Sequence, residues 1–279
     1  MSGTAILDTE DAPKGTRVGS WRGTSVVAQI RVLTLRYMNT IAFDPRMIAL
    51  NAAGPLLMLL VFSQIFGSIA DTPNFPPGVT YIEFLVPAIM VNSAMQAALQ
   101  TGITLTQDVR NGMIIRLRSL PIWLGSVLFA RSLADLVRSG IQLLCVLGFA
   151  YVLFGFRPSG GFAGSAVSWA VALIVGAGVG WLFIALASWV RNVDLFQGAT
   201  MLVTFPLMFA SSAFVPVGGL PEWLQVVAMV NPMTYGIDST RALMQGQVPG
   251  TAAYLAVLLS LLLSALCAVV AVRGFRRPL

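Results

Sequence analysis

The sequence predicts an all-α integral membrane protein with six transmembrane helices and little chain outside the bilayer. Three observations predict it. Hydrophobic residues make up 57% of the 279 residues and charged residues only 10%, against about 25% charged in a soluble domain. Uncharged apolar runs of about 20 residues, the length that crosses a bilayer, recur along the chain. Basic residues gather in alternate connecting segments, the pattern of cytoplasmic loops.

The elements follow in order. Residues 1–20, with Asp8, Glu10, Asp11 and Lys14, lack the apolar core of a signal peptide and read as a disordered cytoplasmic tail. Residues 21–279 read as one transmembrane domain. In residues 23–43, Val26, Ile30, Leu33, Tyr37 and Ile41 recur at three- and four-residue spacing, with Arg31 and Arg36 off that face. Asp44-Pro45 breaks this helix, and a span follows directly, so the segment reads as a helix lying in the inner membrane interface. Spans are predicted at about 47–67, 84–106, 123–154, 163–190, 195–215 and 252–272, bounded by charges such as Arg46, Asp71, Glu83, Asp108 and Arg273.

Orientation follows from the arginines. With the N-terminus inside, the inner segments hold Lys14 and twelve arginines, Arg17 through Arg277, while the outer segments hold only Arg157 and Arg241. Both termini are therefore predicted to be cytoplasmic, in a multi-pass protein of the inner (plasma) membrane. The same asymmetry accounts for the net charge of +6, so no nucleic-acid partner is expected. The outer segment 217–250 is too apolar for a free loop and is broken by Pro221 and by Asn231-Pro232. It reads as two short helices that dip into the outer leaflet and return, since irregular backbone at membrane depth must be buried in protein or line water.

Several chemistries are excluded. Lys14, the only lysine, follows a proline and cannot belong to a phosphate-binding loop. No histidine occurs, which removes His metal sites and His general bases. Cys145 and Cys267 lie within apolar runs and frame neither a disulfide scaffold nor a metal site. No Gly-x-Ser-x-Gly elbow appears. No catalytic, cofactor-binding or metal residues are assigned. Asp135, between Arg131 and Arg138 at helical spacing, reads as a local ion pair rather than a proton relay. No internal repeat of the kind seen in ion-coupled carriers is evident.

Asn92, Gln96 and Gln100 fall at four-residue intervals in the second span and form a polar stripe. It fits the wall of a transport pathway, or hydrogen bonding between helices. Gly176, Gly178 and Gly180 in the fourth span read as close helix packing. The inner segment 107–121, QDVRNGMIIRLRSLP, sets apolar Met113, Ile114, Ile115 and Leu117 among Asp108, Arg110, Arg116 and Arg118. It fits a docking knob for a cytoplasmic partner or a basic loop held on anionic membrane lipid.

Residues 107–138 resemble the corresponding stretch of ABC-2 type permeases of the daunorubicin- and multidrug-resistance exporter group. An acidic residue precedes a glycine and an Arg-x-Arg-Ser-x-Pro run, met here by Asp108, Gly112, Arg116, Arg118, Ser119 and Pro121. Residues 204–241 resemble the wider ABC-2 pattern, with Leu220-Pro221 upstream of Pro232, Met233, Tyr235 and Arg241. One departure is Ile115, where the group often carries an acidic residue. The resemblance implies an ABC-2, or type V exporter-like, membrane fold without an ATPase site of its own. It implies a separate ATP-binding subunit, carrying ATP and Mg, and a second permease, as homodimer or paralogue. It implies export of a hydrophobic or amphipathic molecule such as a drug, lipid or glycolipid. It further implies that the coupling segment contacts the ATPase through Asp108, Arg110, Gly112, Met113, Ile114, Arg116, Arg118 and Ser119. Pro221, Pro232, Tyr235 and Arg241 would belong to the outer re-entrant segment. A stand-alone secondary carrier or channel is the alternative reading.

Overall fold

The computed structural model describes residues 25–38, 45–68, 78–111, 124–190 and 192–276, and among these every regular element is helical. In chain order they are α1 (Val26–Tyr37), α2 (Pro45–Ile65), α3 (Tyr81–Arg110), α4 (Leu124–Leu153), α5 (Gly161–Trp189), α6 (Val193–Phe209), α7 (Glu222–Val230), α8 (Pro232–Met244) and α9 (Gly250–Arg276). Four of these, α3, α4, α5 and α9, are long and apolar enough to cross a membrane. The apolar parts of α2 and α6, Ala49–Ile65 and Val193–Phe209, are shorter. At 1.5 Å per residue a helix of that length reaches about 25 Å, against about 30 Å of hydrocarbon.

Local sequence sets the helix starts. The Ser25 hydroxyl accepts from the Ala28 N–H at 3.3 Å and opens α1. The Glu83 carboxylate accepts from the Thr80 N–H at 2.9 Å at the head of α3, one half of a capping box. Asn192 Oδ1 accepts from the N–H groups of Asp194 and Leu195, at 2.8 and 3.2 Å, and opens α6. Each bond satisfies an N–H that a helix start leaves without an intrahelical partner.

The core is organised around α5, which packs along α3 on one side and α9 on the other, while α8 crosses over α5 and α9. Small residues permit this. A Cβ on Gly176 would meet Ala94 of α3 at 2.6 Å, and one on Gly178 would meet the Ser260 backbone of α9 at 2.9 Å. The interface with α8 is equally close. A Cβ on Gly160 or Gly164 would collide with the Leu243 carbonyl, and Gly160 donates its N–H to Met244 O at 2.8 Å. The helices α2 and α6 flank α3 at the periphery, and α1 lies against α4. Along α1 the residues turned inward are Ile30, Leu33, Thr34 and Tyr37, while Val26 is exposed. Ile41 and the Asp44 of the predicted break lie outside the described residues.

The fifth predicted span, 195–215, is corrected at its end, because α6 stops at Phe209. Ser211 turns its hydroxyl onto the Met208 carbonyl at 2.7 Å. The amide of Asn231, from 24 residues downstream, takes the Leu207 carbonyl at 2.8 Å. Side chains that satisfy the last carbonyls replace the next helical turn.

Candidate functional site

The three amides of the α3 stripe open into one cavity of about 360 Å³ between α2, α3 and α4, with Met208 of α6 at one wall. Sequence reading missed its other polar members, Asn51 of α2 and Arg138 and Gln142 of α4. Gln142 Nε2 donates to the Asn51 carbonyl at 3.4 Å and so ties the two remaining walls together. Met58, Ile89 and Met208 supply apolar surface. Among the described residues the stripe makes one weak contact to another helix. Asn92 is buried, its Nδ2 reaches only the Met58 sulfur at 4.0 Å, and its Oδ1 has no partner. Gln96 and Gln100 are exposed to the cavity. Ser93 lines the same cavity, and Ser93, Thr101 and Thr106 donate to carbonyls of their own helix at 2.6, 3.5 and 3.0 Å.

At one end of the cavity Arg138 pairs with Asp135 at 2.6 Å and donates to the Ala97 carbonyl of α3 at 2.7 Å. Its Nε–H is buried without an acceptor. The local ion pair expected of Asp135 is therefore made with Arg138. Arg131 instead crosses to α3, where it pairs with Asp108 and donates to the Thr104 hydroxyl. Its guanidinium lies 5.5 Å from the centre of the Tyr37 ring of α1. Burial pushes the Tyr37 hydroxyl above its ordinary pKa, against the opposing pull of Arg131, so the ring meets the cation as a neutral π face. The Thr34 hydroxyl adds a bond to the Ala130 carbonyl at 3.3 Å. One buried arginine thus joins α1, the end of α3 and the start of α4. Arg110, two residues after Asp108, is exposed. Gly112, Met113, Ile114, Arg116, Arg118 and Ser119 lie outside the described residues.

The chain after α6 is held by two side chains of the Asn231–Arg241 stretch. Arg241 is 8% exposed. It donates to the Phe84 carbonyl of α3 at 3.3 Å, to the Ser212 carbonyl at 2.8 Å and to Asp238 at 3.1 Å, with its guanidinium 3.6 Å from the Phe84 ring centre. Asn231 donates to the Leu207 and Ala210 carbonyls at 2.8 and 2.7 Å, while its Oδ1 accepts from Met233 N–H at 3.0 Å and caps α8. Pro232 follows at the first turn of α8, where its missing N–H costs nothing. Tyr235 donates to the Met229 carbonyl at 2.6 Å, the last turn of α7. Pro221 precedes α7 and is exposed. Of the irregular backbone after α6, these donors take the Ala210 and Ser212 carbonyls. Asn231 was legible only as a helix breaker. Its fixed place before Pro232, as an amide rather than another breaker, was the signal.

The model of the family described as ABC-2 type transporter matches residues 28–245. The daunorubicin resistance ABC transporter permease protein DrrB1 of Streptomyces coeruleorubidus is 33% identical over 193 residues, 69% of this chain and 66% of that permease. The probable doxorubicin resistance ABC transporter permease protein DrrC of Mycobacterium tuberculosis is 29% identical over 226 residues, 79% of this chain and 78% of its own. Nodulation protein J of Rhizobium leguminosarum bv. viciae is 26% identical over 207 residues, 71% of this chain and 74% of its own. The matched residues run from the first turn of α1 to the turn after α8 and so take in the cavity and both end networks. The chain belongs to the ABC-2 type transporter family, as a multi-pass membrane permease subunit.

Proposed function

We propose that the chain is the membrane half of an ATP-binding-cassette exporter. It carries a hydrophobic or amphipathic substrate outward through six spans, using ATP hydrolysed with Mg on a separate ATPase subunit. Two permeases would be needed, as a homodimer or with a paralogue, in a plasma membrane with both termini cytoplasmic. The chain is then a transport subunit and not an enzyme. Residues 107–121, including Arg116 and Arg118, would take up the movement of the ATPase, and the Arg131 cluster would pass it to α1, α3 and α4.

The observation that carries this reading is the convergence of Asn92, Gln96, Gln100, Asn51, Gln142 and Arg138 on one cavity in an apolar bundle. Two buried polar atoms there have no partner, the Asn92 Oδ1 acceptor and the Arg138 Nε–H donor. A buried unpaired group costs about 1–3 kcal/mol, and a substrate with a hydroxyl or amine and a carbonyl or ether on an apolar body would relieve both. The names of the daunorubicin and doxorubicin permeases make such a drug the first probe.

The test is ATP-dependent uptake of daunorubicin into inverted vesicles holding the chain with a candidate ATP-binding-cassette subunit. Uptake is expected to need both subunits, and Arg116→Glu/Arg118→Glu is expected to release the ATPase. Uptake by the chain alone, driven by an ion gradient, would establish the stand-alone carrier instead.

A further inference from the structure

A second and larger recess lies away from the polar cavity, between the outer half of α4 and the first half of α5. It measures about 670 Å³ and is lined by Leu144, Leu147, Gly148, Phe162, Ala166 and the ring of Trp169. Its wall asks for no polar ligand, because its polar groups are already used. Trp169 Nε1 donates to the Gly140 carbonyl at 3.0 Å. Ser165 donates to the Gly161 carbonyl at 2.9 Å, which leaves Tyr151 to donate to Ser165 Oγ, also at 2.9 Å. At the mouth stands one cation, Arg157, exposed and without an ion pair among the described residues.

Both walls belong to helices apolar enough to span the bilayer, and Leu144, Tyr151 and Phe162 present open apolar surface there. The solvent of such a surface is hydrocarbon chain, and an indentation in it is filled by chain. Arginine at the interface binds phosphate through its planar fork. We propose that this groove is a binding site for an anionic phospholipid, one acyl chain lying along Gly148 and Trp169 and the headgroup phosphate on Arg157. Only the leaflet, the outer one, rests on the orientation proposed above. The missing side chain at Gly148 makes the seat. A Cβ there would meet no atom within 4 Å, so a larger residue fills the groove without straining the helix.

The test is native mass spectrometry of the full-length chain in mild detergent, titrated with phosphatidylglycerol or phosphatidylcholine. Wild type is expected to retain one phosphatidylglycerol in preference to phosphatidylcholine. Arg157→Gln is expected to weaken that retention about fivefold, the effect of one near-surface cation. Gly148→Leu is expected to abolish it while leaving the melting temperature unchanged or raised. Trp169 emission should be quenched by brominated phosphatidylglycerol, and the quenching lost in Gly148→Leu. Undiminished retention in both variants would overturn the proposal, and equal retention of the two lipids would overturn the role of Arg157. Efficient protomer-to-protomer crosslinking of Gly148→Cys, with Cys145 and Cys267 replaced by serine, would assign the groove to a second copy of the chain and overturn the lipid.

Discussion

Arg131 of α4 pairs with Asp108 of α3, so that the two helices bracketing residues 112–123 are clamped side chain to side chain two residues before α3 ends. The clamp is unequal. The arginine side chain is 7% exposed and the aspartate 32%. Removing a partner from a buried pair is costly because it strands the other charge. Asp108→Ala strands a buried guanidinium and should cost about 2 kcal/mol, below the ~3–5 kcal/mol of fully buried pairs. Arg131→Met leaves a carboxylate that water reaches, and should cost about 1 kcal/mol. Thermal unfolding in detergent should rank wild type above Arg131→Met above Asp108→Ala, with the double variant more stable than Asp108→Ala. The reverse order would show that the clamp is not what holds this end together.

Asn231 gives a sharper substitution test, because its two ends do different work. Its amide donates to the Leu207 and Ala210 carbonyls at the end of α6, and its oxygen caps α8. Asn231→Ala loses two hydrogen bonds and a cap, about 3 kcal/mol together. Asn231→Asp keeps the cap and sets a carboxylate against the Leu207 and Ala210 carbonyls, so it should be no better than alanine. If Asn231→Asp melts like wild type, the cap alone matters and the carbonyl contacts do not.

These two cases mark where sequence reading stops. Apolar length and charge placement were legible along the chain, and four of the described helices are long and apolar enough to cross a membrane. The end of α6 was not legible, because Asn231 decides it from 24 residues away. Nor was the partner of Arg131. Asp135 stands four residues on, at good helical spacing, and only the approach of α3 makes Asp108 the nearer carboxylate. In the cavity, Asn92, Gln96 and Gln100 could be seen as a set because they share one helix. Asn51 and Gln142 could not, since each is a single amide in an apolar run until the fold brings them together.

Asn92 separates transport from packing. Its side chain makes no strong bond, and its Oδ1 is buried without a partner. Asn92→Leu is close in volume and should change stability by less than about 1.5 kcal/mol, with the melting temperature equal to or above wild type. ATP-dependent uptake should fall by up to about tenfold, the loss of one hydrogen bond to substrate. A variant that melts lower and transports normally would return Asn92 to the role of helix packing.

The glycines of α5 make a graded prediction. Gly176 and Gly180 both face α3, one turn apart, yet they differ in space. A Cβ on Gly180 would sit 3.4 Å from Ala98 Cβ, an ordinary contact, while one on Gly176 would sit 2.6 Å from Ala94 Cβ. Both substitutions to alanine remove the backbone freedom of glycine, which favours the helix by about 0.5–1 kcal/mol. At Gly180 that gain should survive, and Gly180→Ala should melt at or above wild type. At Gly176 the facing atom is a Cβ fixed to the backbone of α3, so α3 and α5 must part, and overpacking of this kind costs about 1–3 kcal/mol. Gly176→Ala should therefore melt below wild type. Gly176→Ala with Ala94→Gly should recover much of the loss, since the pair restores the separation. Failure of that rescue would place the strain elsewhere than the contact between residues 94 and 176.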